Sequence, residues 1–151
     1  MPRGGEVKLD TKDRVILRHL MENSRAPLKE LARIAGVSIA TVKRRMRKLN
    51  EIIRRYTILV DPKYLNRPIL AFLMISAKTS EEKQIRERIK QWKEVCEIHE
   101  VSGSHGLLLK VRARDKESLS HLKGKLSAYF PEAKIEVVEV TKTWKEVPLE
   151  F

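Results

Sequence analysis

Two residues, Gly36 and Val37, are all that separates a helical pattern ending at Ala35 from the cap of the next helix at Ser38, and that gap limits the folds open to the chain. Gly36 stands where a left-handed residue ends a helix, and Ser38 is a residue type that accepts a hydrogen bond from a helix's first free amides. Before the gap, Pro27 suits the first position of a short helix with Leu28, Leu31 and Ala35 facing inward. After it, Val42, Met46 and Leu49 recur at i, i+4 and i+7 through about Asn50. A turn this short forces the two helices to cross steeply, which is a helix-turn-helix. Upstream, Asp10 can cap a helix over about residues 11–22, with Ile16, Leu17 and Leu20 as its apolar stripe and Asp13 in its first turn.

Stepping 100° per residue from Val42 puts Ala40, Lys43, Arg44, Arg47 and Lys48 on the outward side of the third helix, with Thr41 and Arg45 on its flanks. The run KRRMRK holds five cations in six residues, and no acid falls between Gly36 and Asn50 to relieve their repulsion. An anionic ligand would relieve it. A helix of about 12 residues is roughly 18 Å long, and the major groove of B-DNA admits one. Arg44 and Arg47, central and outward, are the candidates for bidentate contact with guanine edges. Ser38, Thr41, Arg45 and Lys48 are placed for phosphates, and Arg54 and Arg55 can hold the backbone beyond the helix. The whole-chain charge agrees. Of a formal +12, residues 1–60 carry +9, from 15 Lys and Arg against 6 Asp and Glu.

The pattern changes near Asp61-Pro62 and Arg67-Pro68, so the reading is two small domains, 1–60 and 61–151, joined by a strand and a turn. The second gives strand, helix, strand, strand, helix, strand: Leu70–Ile75, Glu81–Trp92, Val95–Ser102, Leu107–Arg112, Asp115–Tyr129 and Ile135–Thr141. That order is the ferredoxin-like βαββαβ arrangement, whose helices cover one sheet face only. The unbroken apolar run LAFLMI predicts burial of its strand on both faces, so a second copy's sheet is expected on the other. A dimer would pair two recognition helices, as DNA half-sites require. The fold class is thus α+β, a winged helix-turn-helix domain followed by a ferredoxin-like one.

Other chemistry finds no support in the residues. No stretch approaches the roughly 18 apolar residues that span a bilayer, and the opening MPRGGEVKLD has no apolar signal core, so a cytoplasmic protein without a membrane partner is expected. The single cysteine, Cys96, excludes an internal disulfide and alternates with Ile98 as a small packed hydrophobe. His19, His99, His105 and His121 show no metal-ligand spacing, although His99 and His105 can approach across a hairpin. No phosphate loop, nucleophile elbow or paired-carboxylate motif occurs, so neither an enzyme nor a cofactor is expected. Sixteen Glu against two Gln and three Asn is a balance common in proteins from hot environments.

Taken in order, Leu9-Asp10, Asp13, Ile16-Leu17, Leu20, Arg25, Leu31-Ala32, Val37-Ser38, Thr41-Val42, Arg45, Leu49, Tyr56, Asp61-Pro62 and Leu65 resemble the leucine-responsive regulator/AsnC (feast/famine) family, with an archaeal source. The resemblance runs from Leu9 to about Thr141. It implies a transcriptional regulator with a promoter-reading helix-turn-helix, a dimerising second domain, assembly as far as octamers, and an amino-acid effector. Two departures stand out. The chain reaches Tyr56 about two residues early and without the usual Gly, which implies a tighter hinge. In the effector loop Gly103, Ser104, His105 and Gly106 follow one another, and Gly106 stands where the family pattern has Asp. Two further readings stay open: an architectural DNA binder without effector, and an enzyme resembling the sirohaem decarboxylases.

Overall fold

The computed structural model describes residues 7–147 and 149–151, in two units. One comprises the chain up to Leu59 together with Lys145–Phe151, the other Val60–Trp144. In the first unit α1 (Thr11–Glu22) begins with a capping box, in which the Asp10 carboxylate accepts the Asp13 amide at 2.9 Å and the Asp13 carboxylate accepts the Asp10 amide at 3.0 Å. Pro27 stands one place outside α2 (Leu28–Ala35), and Gly36 ends that helix at φ 62°. Ser38 Oγ accepts the Thr41 amide at 3.1 Å and starts α3 (Ile39–Leu49). The three helices close on Ile16, Leu20, Leu31, Ala35, Val42 and Leu49.

Among the described residues of that unit, one charged side chain is buried. Asp13 is fully buried, and α3 supplies its counter-charges. Arg45 donates to Asp13 at 2.9 Å and to Asp10 at 2.6 Å, while Lys48 pairs with Asp13 and donates to the Lys8 carbonyl at 3.1 Å. Burial alone would push the Asp13 carboxyl up. Hydrogen bonds from Lys48, the Asp10 amide and Arg45 outweigh it and hold the group below its usual range. The Arg45 hydrogen bond, with the Asp13 amide, holds Asp10 at about 2. Because Arg45 and Lys48 are three apart on one helix, their joint bond to one carboxylate fixes the rotation of α3 about its axis as well as its distance from α1.

The second unit opens with a short 3-10 turn (Pro62–Leu65) capped by Asp61 and continues as β1 (Ile69–Ser76), α4 (Thr79–Ile89), β2 (Val95–Glu100), β3 (Leu107–Ala113), α5 (Lys116–Tyr129) and β4 (Lys134–Glu139). The antiparallel sheet has the order β2-β3-β1-β4. Ala71, Leu73, Ile75, Leu107, Leu109 and Val111 are buried with Ile85 and Ile89 of α4 and Leu119, Leu122 and Leu126 of α5. On the other face Phe72, Met74 and Leu108 are only half-buried and Val138 is exposed. The continuous apolar run is therefore covered on one face and open on the other within a single chain.

Several expectations are corrected. Neither a wing nor a linking strand forms among the described residues. The segment 54–60 runs without a ladder because no neighbouring strand pairs with it. Lys145–Phe151 belongs to the first compact unit, where the Phe151 ring lies 5.9 and 5.6 Å from the Arg14 and Arg18 guanidinium groups of α1. Cys96 is exposed rather than packed. Val95 pairs with Val111 but Glu97 with Lys110, so a bulge at Cys96 breaks the alternation that would have turned it inward.

Removing the buried carboxylate should loosen the first unit selectively. Asp13→Ala is expected to cost about 3 kcal/mol by stranding two cations, read as earlier melting of the helical signal in the full chain. Both carboxyls titrate below their unfolded value near 3.8, so their stabilisation is complete above that pH and is lost as pH falls through their folded values, which for Asp10 is about 2. An Asp13→Asn variant should show a flatter stability profile below about pH 4 than the wild type.

Candidate functional site

With α3 fixed by its inner flank, its outer face is set. Ala40, Lys43, Arg44 and Arg47 are all exposed, at positions that stack on successive turns. Lys43, Arg44 and Arg47 enter no ion pair among the described residues. Arg54 and Arg55, just beyond the helix, are exposed and likewise unpaired. Five cations between Lys43 and Arg55 are thus left without an ion-pair partner among the described residues.

The remaining candidates are placed differently. Ser38 Oγ and Thr41 Oγ1 lie 2.9 Å apart, and Ser38 also caps the helix, so both hydroxyls already hold the first turn together. Arg45 and Lys48, expected on phosphates, point at Asp10 and Asp13 instead, and the Arg45 side chain keeps only 18% of its exposure. The sequence carried a sign of this. Asp13 shares the 13, 16, 17, 20 spacing of the buried stripe of α1, so a carboxylate was due inside and needed cations. Ile39, at the first position of α3, was not singled out and is 44% exposed beside Lys43 on the same face.

The exit from α3 explains the missing hinge glycine. Asn50 keeps right-handed helical dihedrals (φ −63°), and the amides of Ile52 and Ile53 both donate to the Leu49 carbonyl. The Tyr56 hydroxyl then donates to Asn50 Oδ1 at 2.7 Å. No residue in this turn needs a positive φ, so no glycine is required.

In the second unit, residues Gly103–Gly106 join β2 to β3 and line a cleft of about 420 Å³. Gly103 has φ +107°, a conformation that favours glycine. Ser76 Oγ donates to the Ser104 carbonyl at 2.8 Å and lies 2.9 Å from His105 Nδ1, which fixes the loop to the end of β1. The Gly106 amide donates to the Ile75 carbonyl at 2.9 Å. His105 is held in this network rather than loose in solvent. His99 pairs with Glu97 at 2.9 Å. Among the described residues no cluster of His, Cys, Asp and Glu is arranged to hold a metal, and no helix is long and apolar enough to cross a membrane.

Comparison with known proteins gives this arrangement a context. Residues 9–50 match the AsnC-type helix-turn-helix domain, and residues 70–149 match the Lrp/AsnC ligand binding domain. The HTH-type transcriptional regulator FL11 of Pyrococcus abyssi is 32% identical over 116 residues, which cover 76% of this chain and 77% of that protein. FL11 of Pyrococcus furiosus is 27% identical over 146 residues, 93% and 97% of the two chains. Among solved structures, a transcriptional regulator of Neisseria meningitidis in complex with L-methionine superposes with a TM-score of 0.85 at 25% identity, covering 93% of this chain and 94% of that one. An AsnC family regulator from Agrobacterium tumefaciens gives 0.85 at 27% identity, covering 94% and 96%. With both of its domains matched in order, the chain belongs to the Lrp/AsnC family of transcriptional regulators.

Proposed function

We propose that the protein reads double-stranded promoter DNA as a homodimer, with α3 in the major groove, and that an amino acid at the Gly103–Gly106 loop adjusts the binding. The observation that carries the DNA reading is the unpaired row Lys43, Arg44 and Arg47 on an exposed helix face. Arg44 and Arg47 are assigned to guanine edges, Ala40 and Ile39 to close apolar contact with thymine methyl groups, and Lys43, Arg54 and Arg55 to phosphates. Arg45 and Lys48 act as positioning residues through Asp13, and Ser38 and Thr41 as the cap that exposes the helix N-terminus. The role is binding without catalysis, in the cytoplasm with the genome.

The dimer reading rests on the uncovered sheet face. Phe72, Met74, Leu108 and Val138 form an apolar patch beside Lys110, Arg112 and Glu136. A two-fold copy of the same face covers the patch and lets opposite charges meet across it. For the effector, the Neisseria regulator solved with L-methionine supports an amino acid as the class of ligand.

Mutation separates these roles. Arg44→Ala should lose about 1–3 kcal/mol at one base-pair position and relax preference there, whereas Arg55→Ala should weaken all sequences alike and flatten the salt dependence. Both are read by titrating the protein's own upstream region and a scrambled duplex across a salt series. A regulator should prefer its site by about 10³ or more, and equal binding to both duplexes would favour an architectural role. Phe72→Glu should leave a folded chain that sediments as a monomer at micromolar concentration. An unchanged dimer would place the interface elsewhere.

A further inference from the structure

Gly106 is a glycine without a backbone reason for being one. Its φ is outside the left-handed region, unlike those of Gly36 and Gly103. A side chain added at Gly106 would run into the carboxylate of Glu82, which reaches across from the N-terminal part of α4. Glu82 therefore fills the space that the loop residue leaves open, and it lines the same cleft as Gly103–Gly106.

The charges around it are unequal. Glu81 is used at the helix start, where it accepts the Lys78 amide at 3.4 Å. Glu100, which also lines the cleft, is neutralised by Arg86 at 2.6 Å. Glu82 has neither an ion pair nor a side-chain hydrogen bond among the described residues, though it is only half-exposed. The cleft thus holds one uncompensated carboxylate. Gly103 and Ser104 line the same cleft, and their amides donate to no protein group among the described residues. An acceptor for an ammonium group and free donors for a carboxylate, on one small cleft, match the two ends of an α-amino acid.

We propose that Glu82, rather than any residue of the loop, is the group that binds the ammonium of an amino-acid effector, with the Gly103 and Ser104 amides taking its carboxylate. This rests on the reading of the loop as the effector site, and it makes the site selective for a free amino group.

The test uses the full chain and the twenty standard L-amino acids, each screened singly by thermal shift and followed by calorimetry. Any amino acid that binds is then compared with its N-acetyl derivative. Wild type should bind the free amino acid and not the acetylated one. Glu82→Gln should weaken the free form roughly 10- to 100-fold, as the loss of a charge-assisted hydrogen bond does, while its melting temperature without ligand stays that of wild type. Glu82→Gln/Gly106→Asp should regain affinity, because the loop then supplies the carboxylate in the same space. If wild type binds an amino acid and Glu82→Gln binds it equally, the assignment of Glu82 is wrong while the effector reading stands. If no amino acid binds wild type, the effector reading fails and takes this assignment with it.

Discussion

The carboxylate of Asp13 organises the DNA-reading half of this protein. A charged group with no exposure is tolerated only where hydrogen bonds and counter-charges replace water, and here every replacement comes from a defined place: the Asp10 amide at the start of α1, and Arg45 and Lys48 of α3. Apolar contacts among Ile16, Leu31, Val42 and Leu49 bring the helices together but tolerate small rotations. Two cations converging on one buried carboxylate do not. Rotating α3 by one residue would swing Arg45 away from Asp13 and turn Arg44 off the outer face, so the same ion pairs that stabilise the unit also set which side chains face a ligand.

This divides a single basic run into two groups with opposite tasks. In KRRMRK, Arg45 and Lys48 are neutralised within the unit and Met46 packs against the core, which leaves Lys43, Arg44 and Arg47 outside. Counting cations along the sequence overstates the charge available to DNA, since a phosphate that recruits Arg45 has to compete with Asp10 and Asp13. The number of counterions released on binding follows from the unpaired cations, not from the composition.

Most of the architecture was legible because it depends on local rules. Asp10, Gly36 and Ser38 cap or end helices through their own dihedrals and side chains, and those rules hold whatever surrounds them. The βαββαβ order was legible because the period of the apolar residues changes from element to element. What escaped depends on contacts between distant positions. Cys96 has the right alternation for burial, and only the register of β2 against β3 reveals the bulge that turns it out. The strand expected to link the two domains finds no pairing partner among the described residues. Glu82 and Gly106 are 24 positions apart and unremarkable separately, and their shared space exists only once α4 and the β2–β3 loop are folded over the end of β1.

Asp13 and Glu82 together show how the fold separates structural from available charge. Both are carboxylates near the start of a helix, where the backbone dipole favours an anion. Asp13 is sealed and doubly paired, so exchanging its partners for a ligand would strand Arg45 and Lys48 as well. Glu82 is half-exposed and unpaired, so a cation arriving there displaces only water. The same contrast separates Arg45 from Arg44, one residue apart. A group can serve a ligand where the fold has left its charge unanswered, as on the outer row of α3, Lys43, Arg44 and Arg47, and at Glu82 over Gly106.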